Sequence, residues 1–97
     1  MTTKVIGLIQ INDPEAFEKY RSQVGDTVAL YHGKILARGA FNTFLWNELE
    51  CKSFSAFVEL EFPDLEHSQA WAKSPEYQSL LAIRSQAMKL TLFSVST

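Results

Sequence analysis

Cysteine is nearly absent from this chain, with Cys51 the sole example, so no intrachain disulfide is available and the fold rests on packing alone. Histidine is scarce too. His32 and His67 lie far apart in sequence, and with one distant cysteine they supply no zinc-ligand spacing, so no metal and no cofactor is expected. There is no glycine-rich phosphate loop, no nucleophile elbow, no low-complexity segment and no internal repeat among the 97 residues. No apolar run approaches the ~18 residues that cross a bilayer, and Met1 to Lys4 lead straight into an alternating segment rather than a signal peptide. Nine Lys and Arg against eleven Asp and Glu give a net charge of −2, which offers no basic patch for nucleic acid or an anionic membrane. The expectation is one cytoplasmic domain over residues 1–97 with no nucleic-acid and no membrane partner.

What is present is apolar patterning, in 46% of the residues. Val5 to Ile11 is β-branched and alternating, and Asn12-Asp13-Pro14 stops it. Asp13 suits a helix N-cap, Pro14 the first helical position and Glu15 the positive end of the helix dipole. Phe17, Tyr20, Val24, Val28 and Tyr31 then recur at steps of three and four, which predicts a helix with one apolar stripe, bent or frayed at Gly25 and closed by a left-handed Gly33. Lys34 to Arg38 reads as a strand with a bulge at Gly39, and Phe41 to Trp46 as β-prone. Ser55 to Phe62 alternates as a strand that Pro63 ends. Asp64 caps a short helix through Trp71, Ser74-Pro75-Glu76 repeats the cap, proline, acid order, and Leu90 to Val95 is a last strand. The order β, α, β, β, α, β predicts an α+β, ferredoxin-like sandwich: a four-stranded antiparallel sheet with both helices on one face.

Helices on one side should leave apolar residues on alternate strand positions only. Here Val5, Ile9 and Ile11 oppose Ile6 and Leu8, and Leu90 and Leu92 oppose Phe93 and Val95. Leaving one set in water forgoes ~1.5–3 kcal/mol for each large aliphatic side chain, so a second copy packed sheet against sheet is expected to cover it.

Asp13-Pro14 with Phe17 and Tyr20, His32-Gly33-Lys34-Ile35-Leu36-Ala37-Arg38-Gly39, Glu61-Phe62-Pro63, Trp71 with Ser74-Pro75-Glu76-Tyr77-Gln78, and Arg84 together resemble the domain of unknown function 1330 family, in the dimeric α+β barrel superfamily. Lys34 and Ala40 stand where that family usually has further glycines, and its Glu-Gly pair before the third strand is missing. The resemblance implies a ferredoxin-like protomer in a homodimer and brings no established activity.

Two groups of polar residues could carry chemistry. Arg38 shares strand parity with Leu36, and Glu59 and Glu61 share a face with Phe57, so Arg38 can fall beside the glutamates on the open side of the sheet. There it would either clamp a carboxylate ligand, with Glu61 as acid or base, or form a structural ion pair. The second group is Trp71, Ser74 and Tyr77 with His32. This is either a ligand-binding pocket with a Tyr or His proton donor, or filled core with His32 capping a helix. Cys51 reads as a small, half-buried residue. Two functions stand side by side: a homodimeric small-molecule-binding protein or metal-independent enzyme acting on a small carboxylated metabolite, or a non-catalytic dimerisation module.

Overall fold

The computed structural model describes residues 2–97. Four strands, β1 (Thr3–Ile11), β2 (Lys34–Ala40), β3 (Ala56–Phe62) and β4 (Met88–Ser96), pair antiparallel in the order β2-β3-β1-β4. Helix α1 (Pro14–Leu30) joins β1 to β2. The second crossover is broken into α2 (Leu65–Lys73), α3 (Pro75–Gln78) and α4 (Leu81–Ala87) rather than forming one helix. This is the ferredoxin-like α+β sandwich that the element order predicts.

The helix starts follow the cap chemistry written in the sequence. The Asp13 carboxylate accepts the backbone N–H groups of Glu15 and Ala16, Asp64 accepts that of His67, and the Ser74 hydroxyl accepts that of Tyr77. These backbone donors hold both aspartates below the usual carboxylate range, with the Ala16 and His67 amides as the largest causes.

The end of α1 departs from expectation. The helix runs unbroken through Gly25, and His32 rather than Gly33 takes the left-handed conformation, at φ 64°. His32 N–H donates to the Ala29 carbonyl and Gly33 N–H to that of Val28, a Schellman closure with histidine in the usual glycine position. Gly33 is glycine for lack of space: a Cβ there would lie 2.5 Å from Phe62 and 2.8 Å from Val28.

The two sheet faces separate as the alternation predicts. Val5, Ile9, Leu60, Phe62 and Met88 are buried beneath the helices with Val28, Trp71 and Tyr77. Ile6, Leu8, Phe57, Phe93 and Val95 fall on the helix-free face, where Phe93 is 43% and Val95 41% exposed. That face also carries the ion pairs Lys4–Glu59 and Lys34–Glu61, each at 3.4 Å.

Three smaller expectations are corrected. The irregularity in β2 lies between Ile35 and Ala37, not at Gly39. Phe41 to Trp46 is not a strand; the rings of Phe41 and Phe44 pack on each other and on that of Phe54. Cys51 is exposed.

Gly33→Ala is expected to lower stability by ~1–3 kcal/mol through overpacking against Phe62 and Val28. Gly25→Ala, whose Cβ meets only Ile35 at 3.7 Å, is expected to raise it by ~0.5–1 kcal/mol. Urea unfolding of the two variants checks both signs, and equal effects would contradict the account.

Candidate functional site

Between α1 and the sheet lies a cavity of about 370 Å³. Core filling is uneven along the molecule. Phe62, Trp71, Tyr77 and Val28 fill one end completely, whereas Gly39, Ala40, Ser55 and Ala56 put only small side chains beneath the other. Ile9, Ile11, Phe17, Val24, Ile35, Val58, Leu90 and Leu92 supply apolar walls. Most of these are only half-buried although they point inward, which is what an open cavity does to its lining.

Arg38 reaches this cavity because of the register shift in β2. Lys34 and Ile35 pair with Glu61 and Leu60, but Ala37 pairs with Glu59 and Arg38 with Val58, so Leu36 is an extra residue and every later side chain changes face. The parity expectation is thereby corrected. Arg38 lies on the helix side, lining the cavity, while Glu59 and Glu61 remain on the open face with Lys4 and Lys34. The Arg38 side chain is exposed and has no ion-pair or hydrogen-bond partner among the described residues. Arg21 also lines the cavity, and Glu18 partly neutralises it at 3.8 Å.

The remaining candidates divide. Trp71 is a buried wall of the cavity, its indole N–H donating to the Thr27 hydroxyl at 3.0 Å. Tyr77 packs on Trp71 with ring centres 4.5 Å apart and planes tilted by 48°, and it does not line the cavity. Its hydroxyl lies 2.9 Å from that of Tyr20 and accepts a hydrogen bond from Arg84 at 3.0 Å. Ser74 is committed to backbone, donating to the Trp71 carbonyl and accepting the Tyr77 N–H. His32 packs edge-on against His67, 5.3 Å between ring centres, and His67 in turn bonds Asp64 at 2.7 Å. His32 and Glu61 are both absent from the cavity lining.

Only Tyr20, Arg21 and Arg38 bring ionisable groups to the cavity; no carboxylate, imidazole or thiol among the described residues lines it. Burial, and then the neighbouring Tyr77 hydroxyl, push the Tyr20 phenol well above its usual range, so it stays neutral at any ordinary pH. The site is equipped to hold an apolar body with an anionic end at the arginines. Among the described residues no group of three or more His, Cys, Asp and Glu side chains could hold a metal ion. Sequence reasoning missed Arg21 as a site residue, although its place four residues after Phe17 and three before Val24, on the flank of the apolar stripe, is the signal that marks it.

The model for the DUF1330 domain of unknown function matches residues 4–97. The chain belongs to that family. No curated protein matches this DUF1330 member. Among solved structures it is similar to a protein of unknown function from Rhodopseudomonas palustris, with 17% identity, TM-score 0.77, and 99% of this chain and 82% of the other covered. It is also similar to a dimeric ferredoxin-like protein of unknown function from Thermobifida fusca, with 19% identity, TM-score 0.69, and 100% and 92% covered. SnoaB, a cofactor-independent oxygenase from Streptomyces nogalater, has 9% identity and TM-score 0.71, with 99% and 92% covered. Likeness at these identities establishes the shared fold and no activity.

Tyr77→Phe is expected to cost more stability than Tyr20→Phe, because it strips a partner from both Tyr20 and Arg84. We expect ~2–3 kcal/mol against ~0.5–1.5 kcal/mol by thermal unfolding, and the reverse order would contradict the network as described.

Proposed function

We propose that this DUF1330 protein is a homodimeric, cytoplasmic small-molecule-binding protein whose single domain holds a compact, mostly apolar ligand bearing one carboxylate or similar anion. The observation that carries this reading is the cavity of about 370 Å³ lined by an Arg38 with no partner among the described residues. Its volume falls at the lower end of the range of small-molecule sites, and its apolar walls with a few convergent polar groups are the composition of such sites. An arginine kept only to fix a dimer would be paired; the pairs suited to that role are Lys4–Glu59 and Lys34–Glu61 on the open face. Arg38 is therefore the ligand's anion clamp, Arg21 a weaker second cation, and Trp71 an aromatic wall. Ser74 and Tyr77 support Trp71 from behind.

Binding is favoured over catalysis by the cavity's lack of a group that titrates near neutral pH. Glu61, His32 and Tyr77, the residue types best suited to proton transfer, lie outside it. The dimer reading rests on the helix-free face. Exposing Ile6, Leu8, Phe57, Phe93 and Val95 together forgoes several kcal/mol, and a second copy packed face to face recovers it; the Thermobifida fusca neighbour, described as dimeric, supports this by analogy.

The test uses 2-naphthoate and its uncharged amide as probes, titrated by calorimetry. Wild-type protein is expected to bind the carboxylate more tightly than the amide. Arg38→Gln is expected to weaken carboxylate binding by about fivefold to tenfold, in keeping with a charge-assisted contact of ~1 kcal/mol at an exposed mouth, and to leave the amide unchanged. Equal affinity of the two probes for wild type, or equal loss of both in the variant, would overturn the assignment of Arg38.

A further inference from the structure

The segment from residue 41 to residue 55, between β2 and β3, has no counterpart in the function proposed so far, yet it is built rather than slack. The rings of Phe41, Phe44 and Phe54 form its root, with centroids 4.2–5.9 Å apart. At its tip the Asn47 side chain accepts the Cys51 N–H at 2.9 Å and donates to the Cys51 carbonyl at 3.0 Å. Glu50 N–H closes on the Asn47 carbonyl, with Glu50 in the left-handed region at φ 59°. This fixed tip presents Trp46, 85% exposed, and Leu49, 90% exposed, flanked by the carboxylates of Glu48 and Glu50. With the neighbouring Leu45, 87% exposed, Trp46 and Leu49 are the most exposed of the large apolar side chains among the described residues.

A groove of about 340 Å³ lies between the returning limb of the same segment and the helix-free face of the sheet. Leu8 and Phe54 give it an apolar floor and wall, and Lys52 and Lys89 stand at its sides. Neither lysine has an ion-pair partner among the described residues. The tip and the groove are thus complementary twice over, in apolar character and in sign of charge, and the tip's exposure shows that it does not fill the groove of its own chain.

We propose that the 41–55 segment is a docking arm for a second copy of this chain, the tip around Trp46 and Leu49 seating in the equivalent groove of that copy while its own groove receives the other arm. A two-fold axis makes this exchange reciprocal. The inference rests on the face-to-face dimer reading and adds the element that completes it. Four strands ~4.8 Å apart and ~23 Å long offer a footprint of roughly 450 Å², short of the ~800 Å² per side of a standard stable interface. Trp46 alone brings up to ~250 Å² more, with Leu49 beside it, and the groove borders the face through Leu8 and Thr91, so arm and sheet form one continuous contact surface. Because the tip is held rigid in advance, docking it loses little conformational entropy.

Sedimentation of wild type and of the Trp46→Ala/Leu49→Ser and Lys89→Glu variants, with iodide quenching of tryptophan emission across a dilution series, tests this. All three substituted side chains are exposed, so the variants should keep the wild-type circular dichroism. Trp71 is buried and beyond the reach of iodide, so quenching reads Trp46. The expected result is a wild-type dimer whose Trp46 is shielded and becomes quenchable on dilution. The double variant should have a dimer dissociation constant raised about tenfold or more, and Lys89→Glu a smaller rise that salt suppresses. A wild-type dimer with freely quenched Trp46 and unchanged variant affinities would overturn the arm while leaving the sheet-to-sheet dimer standing. A wild type that is monomeric throughout would overturn both.

Discussion

A four-stranded sheet that carries aliphatic and aromatic side chains on both faces but receives helices on only one is the constraint from which the rest of this molecule follows. On the covered side, Phe62, Trp71, Tyr77 and Val28 lock α1, α2 and α3 to the sheet at one end, and that packing forbids a Cβ at residue 33. On the bare side, Ile6, Leu8, Phe57, Phe93 and Val95 are set among paired lysines and glutamates. Charges that already hold opposite partners cost less to remove from water than free ones, so such a face is suited to being covered. The same asymmetry distinguishes the faces: one encloses a cavity and the other leaves apolar side chains uncovered.

The cavity owes its chemistry to one extra residue. Without the irregularity between Ile35 and Ala37, Arg38 would stand beside Glu59 on the open face and serve as one more ion pair. With it, Arg38 turns to the helix side and lines a cavity with mostly apolar walls, whose other cation, Arg21, lies 3.8 Å from Glu18. A free cation at the edge of a cavity of low polarity attracts an anion more strongly than the same group on an open surface, because less water screens it. The small side chains of Ala40 and Ala56, paired with each other on the helix side, matter equally, since bulkier ones would fill the cavity.

Much of this was legible in the residues themselves. Asp13-Pro14, Asp64 and Ser74-Pro75 announce helix starts through cap chemistry that the hydrogen bonds realise, and period-two alternation assigns Val5 and Ile6, or Leu92 and Phe93, to opposite faces. What escaped reading depends on contacts distant in sequence. A β-bulge at Leu36 is decided by pairing with β3, so parity counted along β2 alone puts Arg38 on the wrong face. Gly33 looks like a left-handed helix stop, yet it is glycine because a Cβ would strike Phe62, twenty-nine residues away, and His32 takes the left-handed position. Phe41 and Phe44 read as strand formers, yet their rings pack on each other and on that of Phe54, and propensity carries no record of that. The candidate site was legible in part: Arg38 and Trp71 line the cavity, whereas His32 and Glu61 were proposed for their chemistry and stand elsewhere.

The central claim is that the ligand enters between α1 and the sheet, on the side to which the bulge turns Arg38. Amide and arginine Nε chemical-shift mapping with 2-naphthoate on isotope-labelled protein tests that most directly. The account predicts saturable shifts at Val24, Ile35, Leu60 and Leu90 together with Arg38 Nε, and none at Ile6 or Phe93. Shifts confined to the open face, at Ile6, Leu8 and Phe93, with Arg38 unmoved would contradict it.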